Sequence, residues 1–369
     1  MADIRRLFSA APQHIALVLL AGLLAGPGAS PTCTARPPIE SAVFVQSGFG
    51  ANWSHANGRI AYNRQDTDTL HHVFTINPDG SDEERFGQRN PNFPRRTTGS
   101  PVWHPSGKYL AFVAEKDSHP RGSTGSLPGW GGFSDLWLAT ADGSQTWQLT
   151  NTPSDRDHGT LLPEFSPDGR LLEWTERTRA GNVFSLDQFG GYWVIKLADF
   201  VDDPDGPRLE NIRTIGPNGD AFNETGGFNS DASGIVFTSN YATRNFFQNE
   251  VFYLDLSSQQ IARLTNDHNA YSEHPRFTPD GRIIWMSSEG HPTGQGGTDW
   301  WIMDADGSNK TRLTYFNDPS SPEYAGSQVW TGVVPTTNWS DDGSFFYGDV
   351  ELNLLTGESE IVRASVTCS

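Results

Sequence analysis

The sequence predicts an all-β protein, a single six-bladed β-propeller of four-stranded antiparallel blades. The 369 residues include 38 Gly and 24 Pro, which is too many turn-forming residues for a helical bundle. Aromatic residues make up 12% of the chain, which is too many for a disordered protein. A motif made of an aromatic residue, a polar turn with Gly and an apolar strand recurs six times, as in repeat architectures.

The first 30 residues form a predicted signal peptide. Arg5 and Arg6 precede the apolar stretch 15–24, and small residues follow as far as Ser30. The alternative, a buried helix, is less favoured because no helical period follows the stretch. We therefore expect a secreted or periplasmic protein whose propeller occupies 31–369, with no membrane span in the mature chain.

The chain has only two cysteines, Cys33 and Cys368, one near each end of the predicted mature chain. Because a propeller brings its first and last blades together, we predict a disulfide between them, which would constrain a very long loop in the unfolded state. Two free thiols, or a lipid on Cys33, are the alternatives.

The six copies of the motif predict where the six blades begin. The repeated aromatic residues stand at positions 53, 103, 165, 228, 277 and 339, so the predicted blades start near 51, 101, 163, 226, 275 and 337. A second half-motif follows, as at 135–150 and 299–314, where two strands flank an Asp-Gly turn and end near Leu-Thr. Two strands from each half give the four strands of a blade. The third copy has a longer turn (192–216), and the sixth is shortened (351–363).

One copy carries a family resemblance. The segment 277–285 (FTPDGRIIW), followed by 301–314 with its Asp-Gly-Ser turn and Arg-Leu-Thr ending, resembles the WD-like repeat of TolB-type β-propellers. The resemblance covers roughly 42–365. It implies the propeller fold and, for function, a non-catalytic scaffold that recognises a protein or a glycan.

Long loops are expected on one rim of the propeller only. The Pro-Asp-Gly and Asp-Gly-Ser turns share one rim, so the loops between second and third strands, and the links between blades, lie on the other. Loops 114–134, 175–191, 239–248 and 287–298 are long. We call this side the long-loop rim and predict that it binds the ligand, because a scaffold alone does not need such loops.

The long loops are rich in cations and aromatic residues, which suits an anionic or hydroxyl-rich ligand such as a uronate sugar or a carboxylated peptide. Alternatively, the arginines pair with loop carboxylates such as Asp155, Asp157 and Glu176. The predicted substrate-binding residues are Arg96, His119, Arg121, Trp130, Arg177, Arg244 and His291.

Two carboxylates share a register at the start of neighbouring blades. Glu224 and Glu273 each stand four residues before a repeated aromatic residue, and His158 and His274 approach from the third and fifth blades. We predict that these four residues form a catalytic constellation for general acid and base chemistry or for a divalent ion, Ca²⁺ or Mn²⁺. A purely structural role, in which the acid binds adjacent backbone, is the alternative.

The net charge and the absence of several sequence motifs exclude some classes of function. A net charge of −18 excludes nucleic acid, because phosphate binding needs clustered Lys and Arg. There is no GxSxG, HExxH, Walker or CxxC motif, and we expect no serine hydrolase domain. By analogy with oligogalacturonate lyases, we predict a carbohydrate-active enzyme, a polysaccharide lyase or glycoside hydrolase, that acts on acidic glycans as a monomer. The alternative is a TolB-like scaffold that binds a protein or glycan partner.

Overall fold

The computed structural model describes residues 40–119, 130–217, 220–267, 269–291, 296–353 and 358–366. Their strands form six four-stranded antiparallel sheets, which confirms the six-bladed propeller. The predicted signal peptide, Cys33, Cys368 and Arg121 lie outside these residues, so the leader and the disulfide stay predictions. Within the described ranges, no helix is both long enough and apolar enough to cross a membrane.

Each of the first five blades is built from four consecutive strands, the first of them innermost. In chain order the strands are β1 (Glu40–Gln46); β2 (Gly48–Trp53), β3 (Ile60–Gln65), β4 (His71–Ile76) and β5 (Glu84–Arg85); β6 (Thr98–Trp103), β7 (Tyr109–Glu115), β8 (Ser134–Thr140) and β9 (Thr146–Gln148); β10 (Gly159–Phe165), β11 (Leu171–Arg179), β12 (Tyr192–Val201) and β13 (Arg208–Ile215); β14 (Asn223–Phe228), β15 (Gly234–Ser239), β16 (Glu250–Asp255) and β17 (Ile261–Arg263); β18 (Ser272–Phe277), β19 (Ile283–Ser287), β20 (Asp299–Met303) and β21 (Thr311–Arg312); and β22 (Trp330–Thr331), β23 (Phe345–Asn353) and β24 (Glu358–Ser365).

The sixth blade closes the ring with strands from both ends of the chain. Its order is β1-β24-β23-β22, so β1 is its outermost strand and pairs antiparallel with β24, as at Val43 and Val362. Closure hides a sheet edge that would otherwise be open to pairing with another chain.

The repeated turn explains why the first and second strands of a blade pair in register. In the third blade the Ser166 hydroxyl donates to Asp168 Oδ1 at 2.7 Å, and the backbone N–H of Arg170 donates to the same oxygen at 3.0 Å. Gly169 takes φ +73°, which favours glycine. The same contacts recur around Asp342, so the motif found in the sequence is a turn motif with a local cause.

The core lies between adjacent blades. Trp174, Phe237 and Trp300 are among the fully buried side chains, and Trp174 of the third blade clusters with Leu136 and Leu138 of the second. Each large aromatic ring buries on the order of 150–250 Å². These inter-blade contacts hold the six innermost strands around a central channel.

A β-bulge interrupts the innermost strand of each of the first five blades. Its first residue has positive φ in four of them, at Gly50 (65°), Ser100 (47°), Leu162 (46°) and His274 (52°), and all four residues line the channel. Bulges re-aim side chains next to binding sites. Here they place one residue from each of these four blades at the channel wall.

Candidate functional site

The central channel holds an acidic cavity. The space at the level of the bulges measures about 730 Å³, open solvent included. Its charged lining consists of the cations His274 and Arg276 and the carboxylates Glu164, Glu224, Asp349 and Glu351. Carboxylates therefore outnumber cations in the cavity wall.

Glu164 and Arg276 line one side of the cavity, and the fully buried Glu173 interacts electrostatically with both. Glu173 Oε1 accepts the backbone N–H of Gly227 at 2.9 Å, which ties the third blade to the fourth. Burial raises the pKa of Glu173 to about 8 and that of Glu164 to about 6, and the Arg276 cation offsets only part of this effect. Arg276 itself donates to the carbonyl groups of Thr225 and Pro275 at 3.3 and 3.1 Å.

The sixth blade contributes two more carboxyl groups, the buried Asp349 and the partly buried Glu351. Asp349 Oδ2 accepts the backbone N–H of Gly50 at 2.7 Å, so this contact joins the last blade to the first. Burial raises the pKa of Asp349 to about 7 and also raises the pKa of Glu351. Both groups add to the negative potential of the channel when ionised.

Glu224, Glu273 and His274 form a cluster between the fourth and fifth blades. His274 Nε2 lies 3.2 Å from Glu224 Oε2 and 3.8 Å from Glu273 Oε2. Burial, with the Glu224 charge second, raises the pKa of Glu273 to about 7. Burial disfavours the protonated imidazole of His274, but the two carboxylates outweigh this and raise its pKa to about 9. The bulge explains why His274 meets the two carboxylates, because it turns His274 toward the channel directly after Glu273.

His158 does not join this cluster. Its Nδ1 lies 2.7 Å from Asp155 Oδ1 within the same loop, and its carbonyl accepts the backbone N–H of Phe133. Three of the four predicted catalytic residues thus converge, and the fourth is held by a local pair. The link between blades, in which His158 lies, has no repeat register from which its position could be inferred.

Most of the predicted substrate-binding cations are engaged within the protein. Arg96 donates to three loop carbonyl groups and lies 3.2 Å from Glu115, and buried His119 bonds to the same carboxylate. Arg244 pairs with Asp187 at 2.6 Å. Arg177 donates to the Arg156 carbonyl at 2.7 Å. Trp130 is 67% exposed and remains free to contact a ligand.

His291 is part of a repeated structural network. Its Nε2 lies 2.9 Å from Asp299 Oδ2, which also receives Arg312 at 2.7 Å. Asp299 Oδ1 accepts the hydroxyl of Thr314, the threonine of the Leu-Thr ending, and Asp135 accepts Thr150 in the same way in the second blade. Because all of these groups are buried or nearly so, His291 stabilises its own blade and does not face a ligand.

An apolar patch on the long-loop rim was missed in the sequence. It consists of exposed side chains on loops of the third and fourth blades, and we call it the rim patch: Val183 (67%), Phe184 (96%), Leu186 (60%), Phe189 (36%) and Phe247 (47%). Phe189 contacts Phe247 and Phe246, and Phe246 contacts Tyr271, whose hydroxyl donates to Glu273 Oε2. These contacts link the patch to Glu273, which lies beside the channel-lining His274. The signal for it was present, because VFSLDQF (183–189) is unusually apolar for a loop.

Glu164 and Arg276 were also missed. Each stands immediately before a repeated aromatic residue, at a position taken by Val102 in the second blade and Gly227 in the fourth. A charged residue at this register of an innermost strand is the signal that identifies them.

No protein-family model matches the chain. A curated relative, dipeptidyl-peptidase 5 from Porphyromonas endodontalis, is 24% identical over 256 residues, or 61% of this chain and 34% of the relative. The chain thus spans about a third of that relative's length. TolB from Acinetobacter baumannii superimposes with a TM-score of 0.52 at 17% identity, covering 84% of this chain and 64% of TolB. A puromycin hydrolase superimposes at 0.50 with 16% identity, covering 89% of this chain and 47% of the hydrolase.

The chain is a six-bladed β-propeller with the fold of TolB, as its repeat predicted. The prediction of a polysaccharide lyase or glycoside hydrolase acting on acidic glycans is wrong. The sequence relative is a peptidase, and the fold is shared with TolB and a puromycin hydrolase. The prediction rested on the cations of the long loops, which are largely engaged within the protein instead of facing an anionic sugar.

Proposed function

We propose that the chain is a peptide-binding propeller that receives a segment of another polypeptide across its long-loop rim. Apolar side chains of the segment pack on the rim patch, and a positively charged group enters the acidic channel. The observation that carries the proposal is the chain of side-chain contacts that runs from Phe247 through Phe246 and Tyr271 to Glu273, beside the channel.

The rim patch supplies the apolar part of the recognition. Phe184 is 96% exposed and stands beside exposed Val183 and Leu186, an arrangement that costs solvation free energy unless a partner covers it. Aromatic side chains in such positions dominate the energetics of protein interfaces.

The channel supplies the charge selectivity. Burial raises the pKa values of its carboxyl groups Glu164, Asp349 and Glu351, and the nearby cations offset only part of this effect. An ammonium or guanidinium group brought by a ligand would stabilise their ionised forms. A peptide is also the ligand class suggested by the name of the dipeptidyl-peptidase relative.

The test is equilibrium binding of fluorescein-labelled decapeptides that share two leucines and a phenylalanine and differ in net charge from about +3 to about −3. The assay uses fluorescence anisotropy in buffer with EDTA. We expect affinity to rise with positive charge and to fall with salt, because charge-steered binding is screened. Glu351→Gln is expected to weaken the most positive peptide several-fold and to leave the neutral peptide unchanged.

A pair of matched substitutions locates the apolar contact. Phe184→Ser and Phe247→Ser are expected to weaken binding about tenfold each, or about 1.4 kcal/mol. Ile212→Ser is the control, because Ile212 is 52% exposed on the outermost strand β13. Equal losses in all three variants, or preference for negative peptides, would contradict the proposal.

A further inference from the structure

Three side chains at the channel wall present ligand atoms to one point. The ligand atoms of Glu224, Glu273 and His274 all lie within 4.8 Å of one another. Glu224 belongs to β14, Glu273 belongs to β18, and His274 is the first residue of the bulge in β18. Two neighbouring blades therefore build the site, so its geometry is set by the packing of the propeller.

One of these ligand atoms has no hydrogen-bond partner. Glu224 is 4% exposed, and its Oε2 makes no aligned hydrogen bond although His274 Nε2 lies 3.2 Å away. The contact with His274 replaces only part of the solvation that this buried carboxylate oxygen has lost. The oxygen faces the imidazole nitrogen and the second carboxylate.

Neighbouring groups hold the other carboxylate in place. Asn249 Nδ2 donates to Glu273 Oε1 at 3.4 Å, and the Tyr271 hydroxyl donates to Glu273 Oε2. Hydrogen bonds of this kind orient the ligands of metal sites.

The backbone fixes the imidazole. His274 has φ +52°, in the left-handed region that side chains with a β-carbon rarely adopt. Strained backbone of this kind clusters at ligand-binding sites. The strain is maintained by the bulge, which recurs in the other four of the first five blades, and it directs the ring toward Glu224.

We propose that Glu224, Glu273 and His274 bind a divalent transition-metal ion, with open coordination positions facing the channel. Two ligands at right angles, each about 2.2 Å from an ion, are about 3.1 Å apart, close to the 3.2 Å between Nε2 and Glu224 Oε2. Two carboxylates with one imidazole suit Mn²⁺ or Zn²⁺ better than Ca²⁺ or Mg²⁺, which prefer all-oxygen sites. The proposal of a metal site does not rest on the proposal of peptide binding.

The competing explanation is an internal ion pair in which protonated His274 bridges the two carboxylates and no ion binds. The two explanations differ in whether the protein takes up metal. Mn²⁺ is the primary probe, because the two cysteines of the chain can bind Zn²⁺.

The experiment uses the full chain, stripped with EDTA and dialysed, and follows the loss of the electron paramagnetic resonance signal of free Mn²⁺ on binding. We expect one ion per chain with a Kd below about 100 µM, and at least about tenfold weaker binding of Ca²⁺ and Mg²⁺ in competition. Glu224→Gln and His274→Ala are each expected to weaken Mn²⁺ binding about 100-fold.

Matched controls make the result decisive. His158→Ala removes a histidine that pairs with an aspartate on the same rim, and it is expected to leave Mn²⁺ binding unchanged. Thermal unfolding of each variant checks that it is folded. If His274→Ala does not fold, Glu224→Gln, which keeps the shape of the side chain, distinguishes the metal site from the internal ion pair. No Mn²⁺ uptake by the folded wild type, or uptake insensitive to Glu224→Gln, would overturn the site. The peptide-binding assay is carried out in EDTA, so its result does not depend on whether the protein binds a metal ion.

Discussion

Glu173 makes the stability of the propeller depend on pH. Its carboxyl group is fully buried, Oε1 accepts the N–H of Gly227, and Oε2 has no partner. Burial raises its pKa from 4.5 to about 8, with the nearby Glu164 charge adding to the effect. Between these two pKa values the folded state binds more protons at this site than the unfolded state does, so the free energy of unfolding falls as pH rises.

The magnitude follows from the shift. One pKa unit corresponds to about 1.4 kcal/mol, so the contribution of Glu173 becomes less favourable by roughly 3.5 kcal/mol between pH 5 and pH 8. Glu173→Gln removes this titration, because glutamine stays neutral and keeps the oxygen that accepts from Gly227. We expect the variant to match wild type within about 1 kcal/mol at pH 5 and to exceed it by about 4 kcal/mol at pH 8.

Urea unfolding at pH 5, 6, 7 and 8, followed by tryptophan fluorescence, measures this difference. Glu84→Gln is the control, because it removes an exposed carboxylate and is expected to follow the pH dependence of wild type. If the curves of Glu173→Gln and wild type run parallel from pH 5 to pH 8, the account of the buried carboxyl group is refuted.

Two further predictions concern the scaffold. Gly226→Ala is expected to cost about 2–3 kcal/mol of unfolding free energy, because a β-carbon there would lie 2.5 Å from the Pro275 carbonyl oxygen. Gly80→Ala is the control: a β-carbon there has free space, and the change is expected to cost only about 1 kcal/mol because Gly80 has a φ of +83°. Asp299→Asn is expected to cost about 3–5 kcal/mol of unfolding free energy, because it leaves the Arg312 cation without its carboxylate in a buried site. Asp280→Asn breaks the more exposed pair with Arg282 and is expected to cost under about 1 kcal/mol. Urea unfolding measures both comparisons, and equal losses within either pair would contradict the corresponding contact.

The fold was predictable because its signal is local. Each repeated aromatic residue is followed by a polar turn with Gly that forms local hydrogen bonds, as Ser166 and Asp168 do, so six copies in the sequence indicate six blades. Glu224 and Glu273 were predictable for a related reason, since a shared register in a repeat places two residues at the same height on neighbouring blades. His274 follows from Glu273 directly.

The remainder of the site depends on contacts that no local pattern records. Asp349 reaches Gly50 only because the sixth blade closes against the first, 299 residues away in sequence. Loop residues have no register, which is why His158 was placed wrongly in the cluster and why the rim patch around Phe184 was missed. The long-loop cations misled for a physical reason, since Arg96 and Arg244 bind groups that only the folded loops bring to them.

The most direct test of the central proposal is to locate the peptide on the propeller by hydrogen–deuterium exchange. The full chain is compared with and without the tightest of the positively charged decapeptides. We predict slower exchange in 183–190, 246–249 and 271–275, which belong to the rim patch and the channel mouth. Protection confined instead to the Asp-Gly turns 79–81, 142–144 and 306–308 on the opposite rim, or no protection at saturation, would contradict binding at the long-loop rim.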